Sequence, residues 1–182
     1  MLNTCNDISV VMAVWRGDSP DQIAAAIYSV LEQTVRPTEF VVVADGPVGS
    51  DIDACLAHHS ERGEITLLRL PENVGRGGAR NHAINATTGQ LVAIMDADDV
   101  CRPTRLAQQS DFIARHDIDL LGGLIAEFDQ VVGDNSSIRI VPLKHDSICR
   151  MLRRRSAFNH VTLMFRREAF DQIGGYRKLS YV

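Results

Sequence analysis

The chain has 182 residues, of which 45% are hydrophobic and 23% charged, globular proportions that exclude wholesale disorder. A chain of this length buries roughly 70% of its unfolded surface, so a single domain spanning residues 1–182 is expected, needing neither disulfide nor metal to fold. Lys and Arg number 19 against 23 Asp and Glu, a net charge of −4 that argues against a general duplex-binding protein and leaves no nucleic-acid partner to expect.

Strand and helix signals alternate along the chain. Ile8–Val14 is apolar, rich in β-branched residues, and reads as a buried strand. After the turn Trp15–Asp18, Ser19-Pro20-Asp21-Gln22 marks a helix start, with Ser19 as cap, Pro20 at the first helical position and Gln22 closing the box. Ile23, Ile27, Val30 and Leu31 give that helix its buried face. Glu39–Ala44 is a second strand, ended by Asp45-Gly46-Pro47, and a helix is expected from Asp51 to His59. A third strand at Ile65–Leu70, a helix at Gly75–Ala86 and a fourth strand at Gln90–Met95 follow. Pro103 opens a further helix through His116, and Leu120–Phe128 reads as a fifth strand. Repeated strand–helix units with short apolar strands predict an α/β fold whose mostly parallel sheet is flanked by helices. Past Asp129 the rhythm changes. Val131–Ser137 reads as a hairpin turn or loop, Ile138–Val141 as a short strand, and His145–Arg155 as a helix with Ile148, Met151 and Leu152 as its apolar stripe. Val161–Phe165 is another short strand, and Arg166–Ile173 a helix closed by Gly174-Gly175.

Cys5, Cys55, Cys101 and Cys149 are far apart and form no CxxC pair, which points away from a zinc ribbon or disulfide framework and toward a reducing compartment. Apolar stretches such as Ile8–Trp15 are too short to span a bilayer, and no signal peptide is visible at the amino terminus. Arg150, Arg153, Arg154 and Arg155 form either a solvated helix end or a surface facing phosphate or lipid. A cytoplasmic protein is expected, at the inner face of the membrane if that group makes a peripheral lipid contact.

In an open parallel sheet, ligands bind at the carboxyl ends of the strands. Three polar clusters fall there: Trp15-Arg16-Gly17-Asp18, Asp45-Gly46 and Asp96-Ala97-Asp98-Asp99. The last crowds three carboxylates into four residues, an arrangement that repels itself unless a hard divalent ion such as Mg²⁺ or Mn²⁺ neutralises it. The alternative is that Asp98 or Asp99 caps the helix near Pro103. The segment Asn73–Asn81 joins a strand to a helix through three glycines. It either lets the helix pack closely or presents amides to an anion, and Arg76 and Arg80 favour the anion. Its spacing fits neither a Walker A loop nor a dinucleotide fingerprint. Asp45 is either an Asx-turn residue or an acceptor for a base or ribose. Trp15 packs either in the core or against a nucleobase. His160 is either structural or a substrate contact, and His58 and His59 read as surface residues.

Taken together, Val10-Val11-Met12-Ala13-Val14-Trp15, Val43-Ala44-Asp45-Gly46, Asn73-Val74-Gly75 with Ala79-Arg80-Asn81, and Asp96-Ala97-Asp98-Asp99 occur in the order and spacing of family 2 glycosyltransferases, which the chain resembles from Ile8 to Tyr176. Asp45-Gly46-Pro47, Arg102-Pro103 with Arg105-Leu106, Phe158–Arg167 and Gly174-Gly175-Tyr176-Arg177 look more narrowly like bacterial surface-polysaccharide members of the amylovoran-biosynthesis type.

The resemblance implies a GT-A nucleotide-sugar-binding fold and inverting transfer of a hexosyl or N-acetylhexosaminyl group from a UDP-sugar to a saccharide or lipid-linked saccharide. Residues 1–129 would bind the donor, and residues 130–182 would begin the acceptor side. Carried over by position, Asp45 would contact uracil, Trp15 would line the base pocket, and Arg80 would support the diphosphate. Asp96 would lie near ribose and diphosphate, and Asp98, with Asp96, would hold Mn²⁺ or Mg²⁺. This chain departs from the pattern in carrying Ala44 before a single Asp45, where relatives have two acids. It also lacks the Glu-Asp pair that in the subgroup follows Gly-Gly-Tyr and supplies the general base, so a fragment of a longer enzyme is expected, with its base beyond Val182 and apolar surface that a second copy could cover. Two other classes compete: a nucleotidyltransferase, which would want more glycine than Trp15-Arg16-Gly17-Asp18 offers, and a noncatalytic UDP-sugar-binding module.

Overall fold

The computed structural model describes residues 7–128 and 133–177. Its main sheet has six strands in the order Thr66–Arg69, Glu39–Ala44, Ile8–Val14, Leu91–Asp96, Met164–Arg166 and Leu120–Leu121. The strands β1 (Ile8–Val14), β2 (Glu39–Ala44), β3 (Thr66–Arg69) and β4 (Leu91–Asp96) run parallel. Each is followed by a helix: α1 (Pro20–Leu31), α2 (Ser50–Glu61), α3 (Gly75–Asn85) and α4 (Arg105–His116).

Successive side chains of a strand point to opposite faces, and both faces here are covered. Val10, Met12 and Val14 of β1 pack with Ile23 and Ile27 of α1, Leu56 of α2 and Leu106 and Ile113 of α4. Val11 on the other face packs with Ala79, Ala83 and Ile84 of α3. That two-sided burial explains why these strands read as unbroken apolar runs rather than alternating ones. Register then levels the strand ends. Val14 pairs with Ala44 and Ala13 with Asp96, so Trp15, Asp45 and Ala97 leave the sheet along one edge.

Several boundaries differ from expectation. Ser19 occupies the N-cap position of α1 with extended backbone, but its hydroxyl caps no amide, and the expected box does not form. Helix α4 starts at Arg105 rather than Pro103, because the Pro103 carbonyl is taken by the Thr34 amide (2.8 Å); its N-cap is Thr104, so neither Asp98 nor Asp99 caps it. The stretch Leu120–Phe128 is not one strand. It breaks at Gly122-Gly123, where a Cβ on Gly122 would stand 2.7 Å from Phe158 and the Gly123 amide donates to Thr162 Oγ1 (2.8 Å). The piece before the break is β5 (Leu120–Leu121), and the piece after it, β6 (Ile125–Phe128), pairs with β7 (Asn135–Arg139) in a separate two-stranded sheet. The expected turn at Val131–Ser137 lies partly outside the described residues, and the strand expected at Ile138–Val141 is shifted to β7.

The helix expected at His145–Arg155 is α5 (His145–Leu152), which leaves Arg153–Arg155 in the following turn. Residues 160–162 form a 3₁₀ turn instead of a strand start, and β8 (Met164–Arg166) then returns antiparallel between β4 and β5. Helix α6 (Arg167–Ile173) closes on Gly174 and Gly175 at φ +76° and +77°, the left-handed region that glycine tolerates. His59 is buried rather than exposed: its Nδ1 meets Glu64 at 2.6 Å and its ring lies edge-on to Tyr28.

Candidate nucleotide-binding cleft

Three turns meet at the carboxyl edge of the parallel strands. The turn after β1 is held by the Trp15 amide donating to Asp18 Oδ2 (2.8 Å). Trp15 is 44% exposed, and its ring lies over Gly17, where a Cβ would approach it to 2.3 Å. The core alternative for Trp15 is therefore excluded, and the only tryptophan presents an open aromatic face at the strand edge.

Asp45, at the end of β2, is 5% exposed, and its Oδ1 accepts the Val74 amide (2.7 Å). Asn73 Nδ2 donates to the Asp45 carbonyl (3.1 Å). Asp45 thus ties its strand end to the loop before α3 instead of forming a local Asx turn. Its second carboxylate oxygen has no hydrogen-bond partner among the described residues. Gly46 makes the junction possible. It sits at φ +82°, and a Cβ there would stand 2.6 Å from the Asn73 backbone nitrogen.

The glycines of α3 serve packing. A Cβ on Gly78 would meet Val74 at 2.9 Å, and one on Gly77 would meet Tyr176 at 3.3 Å. Arg76 is exposed at the start of this helix, and one turn later Arg80 Nη2 donates to Asp96 Oδ1 at 2.5 Å, joining α3 to the end of β4. Arg80 Nε and His160 Nδ1 are buried without a hydrogen-bond partner among the described residues.

The electrostatics show which groups face each other. Burial raises the Asp18 carboxyl above the usual range, Asp98 raises it further, and Arg76 pulls it down. Asp98 and Arg76 therefore both act on Asp18 across these turns. Burial, together with Asp98 and Asp96, pushes Asp99 up to about 6. Asp98 itself is exposed and makes no hydrogen bond or ion pair with the described residues. No three acidic, His or Cys side chains among the described residues gather closely enough to hold a metal ion. The donor set still suits a hard divalent ion of the kind held by one or two carboxylates and completed by phosphate oxygens. In such a site Asp98 would be the exposed carboxylate, while Asp96 is engaged through Oδ1 by Arg80 and Asp99 is half-buried.

The expected residues thus form two groups. Trp15, Asp45, Arg76 and Asp98 line the strand-end turns, whereas Arg80, Asp96 and His160 belong to a half-buried network that also includes Tyr176, singled out by the sequence only as part of the Gly-Gly-Tyr motif. Its hydroxyl lies 3.0 Å from His160 Nε2. Asn81 fixes Tyr176 by a reciprocal pair, accepting the Tyr176 amide on Oδ1 (2.9 Å) and donating from Nδ2 to its carbonyl (2.8 Å). Burial pushes the Tyr176 hydroxyl up to about 12. Arg105 was also missed as a functional group. It donates from Nη2 to the carbonyls of Ile94 (2.8 Å) and Val161 (2.9 Å), clamping β4 to the turn that carries His160.

Burial, reinforced by Arg80, pushes the His160 imidazole down to about 4. Between pH 6.5 and about 4 the unfolded chain binds a proton that the folded chain refuses, so stability falls as pH drops through that window. After screening for its partial exposure, the loss is about 1–2 kcal/mol. His160→Gln is expected to flatten stability against pH in that range, as read by urea midpoints at pH 4.5 and 7. An unchanged pH slope would show that His160 does not carry the effect.

The Glycosyl transferase family 2 profile matches residues 9–174. An uncharacterized glycosyltransferase of Haemophilus influenzae is 33% identical over 173 residues, covering 94% of this chain and 65% of its own length. The amylovoran biosynthesis glycosyltransferase AmsE of Erwinia amylovora is 28% identical, covering 96% of this chain and 65% of its own. An Escherichia coli protein described as UDP-Gal:alpha-D-GlcNAc-diphosphoundecaprenol beta-1,3-galactosyltransferase is 32% identical, covering 92% and 61%. The chain therefore spans less than two thirds of the length of these relatives. Among solved structures, the mannosyltransferase PcManGT of Pyrobaculum calidifontis, in complex with GDP-Man and Mn²⁺, superposes with a TM-score of 0.69 over 94% of this chain and 48% of its own, at 19% identity. The fold is thus GT-A-like, with the parallel sheet and levelled strand ends described above, and the chain belongs to glycosyl transferase family 2.

Proposed function

We propose that the protein is a glycosyltransferase that moves a hexosyl or N-acetylhexosaminyl group from a UDP-sugar to a saccharide or lipid-linked saccharide in surface-polysaccharide synthesis. The observation that carries this reading is the meeting of Trp15, Asp45, Asp98 and the Arg80–Asp96 pair at one edge of the sheet. An aromatic face and a carboxylate with a free oxygen suit a base, and two arginines beside exposed acid suit a metal–diphosphate.

In this reading Asp45 contacts uracil, Trp15 lies against the base, Arg76 and Arg80 face the diphosphate, and Asp96 borders the ribose. Asp98 holds Mn²⁺ or Mg²⁺, which when bound neutralises the phosphates and the leaving nucleotide. His160 borders the cleft from the acceptor side, with the division between donor and acceptor parts near residue 130. Inverting transfer, the UDP donor and the amylovoran-type subgroup rest on family likeness. The UDP-Gal in the name of the E. coli relative and the Mn²⁺ of the Pyrobaculum structure support donor and metal.

The test is equilibrium binding of UDP and ADP, followed by release or transfer of labelled sugar from a panel of UDP-sugars. Binding without turnover would favour the noncatalytic module, and absence of nucleotide binding would defeat the proposal. Asp45→Ala is expected to narrow the preference for UDP over ADP by about fivefold, the worth of one hydrogen bond near 1 kcal/mol. An unaltered preference in the variant would leave Asp45 only its bond to Val74.

A further inference from the structure

One element takes no part in either core. Helix α5 buries none of its residues, although Ile148, Met151 and Leu152 form an apolar stripe along it. The segment leading into it continues that character: Ile140 is 78% exposed and Leu143 84%, and Leu152 is exposed at the far end. Burying apolar side chains is the main favourable term in folding, so an amphipathic helix whose Ile148 and Met151 are only half-buried and whose Leu152 is exposed lacks part of the surface that would hold it.

The charges say what that surface is. Lys144, Arg150, Arg153, Arg154 and Arg155 stand exposed against one carboxylate, Asp146, within a chain whose net charge is −4. None of the five forms an ion pair with the described residues. We propose that Ile140–Arg155 is a membrane-docking element that lays the apolar stripe of α5 and Leu143 into the interface of an anionic lipid bilayer, with the arginines on the headgroups.

Short basic amphipathic helices bind in this way, their affinity set by apolar area and attraction to anionic lipid. A second copy fits this surface less well, since a two-fold contact would bring two arginine groups together. No helix among the described residues is long and apolar enough to cross a membrane, so the contact is with the bilayer surface. The element also starts beside the turn that carries His160: Asn159 donates from Nδ2 to the Arg139 carbonyl at the end of β7 (3.4 Å). Docking would therefore hold the cleft near the lipid surface. The inference does not depend on the donor or on transfer, and its test uses neither.

The test is flotation of the whole chain with phosphatidylcholine vesicles and with vesicles that also contain phosphatidylglycerol. Binding is expected only with phosphatidylglycerol present, and it should weaken with salt. Arg153→Glu with Arg154→Glu should lower the partition coefficient at least about twentyfold, since each basic residue near such a surface contributes about a fivefold factor. Leu143→Ser with Leu152→Ser should remove the binding that survives at high salt. Both pairs are exposed, so the thermal midpoint should not move. Failure to float with anionic vesicles, or binding indifferent to the arginine reversals, would overturn the proposal. So would an effect of charge with none from the leucines, or a dimer in solution that the leucine pair dissolves.

Discussion

Arg105→Met is expected to lower stability by about 3 kcal/mol, seen as a fall of roughly 6–12 °C in thermal midpoint for a chain of this size. The Arg105 guanidinium binds the carbonyls of Ile94 and Val161, its Nε donates to Gln109 Oε1 (3.0 Å), and Gln109 Nε2 donates in turn to the Thr162 carbonyl (2.7 Å). Methionine keeps most of the stem but leaves two main-chain acceptors of the interior without their donor, each worth about 1–3 kcal/mol. The effect should also reach the cleft, because the clamp joins the strand that ends in Asp96 to the turn that carries His160. Differential scanning calorimetry decides the matter, and a loss below about 1 kcal/mol would show that other donors or water take over those carbonyls.

Asp98→Asn is expected to reduce the Mn²⁺-dependent part of UDP affinity between tenfold and a hundredfold, about 1.4–2.7 kcal/mol. The substitution keeps size and an oxygen ligand but removes the charge. Asp98 is the exposed carboxylate of its turn and has no hydrogen bond or ion pair with the described residues, whereas Asp96 is held by Arg80 and Asp99 is half-buried. Removing Asp98 also relieves the repulsion that raises Asp99 and Asp18, so the apo protein should not be destabilised. Loss of UDP binding without loss of fold would therefore report on the ion. Calorimetric titration of UDP with and without Mn²⁺ makes the measurement, and equal metal dependence in both proteins would remove Asp98 from the metal assignment.

Much of the scaffold was legible in the residues. Strands buried on both faces need unbroken apolar runs, and Val10–Val14, Phe40–Ala44 and Leu91–Met95 are such runs, each stopped by polar residues at its carboxyl end. Because parallel strands gather those ends on one edge, alternation alone places Trp15, Asp45 and Asp96 along the same edge of the sheet. The ordered motifs added the family.

Other features depended on partners distant in sequence. Asn81 meets Tyr176 95 residues away, and Asp45 meets Val74 29 residues away. The separate sheet of β6 and β7, and the antiparallel return of β8 between β4 and β5, depend on Gly122-Gly123 meeting Phe158 and Thr162. His59, expected at the surface, is buried because Glu64 and Tyr28 pack against it. Local sequence sets strand and helix because backbone geometry and apolar periodicity are local. Which carboxylate is paired, which left free, and which histidine buried is decided by side chains that meet only when the sheet is assembled, so Arg80 bound to Asp96 and Asp98 left open were settled by tertiary structure alone.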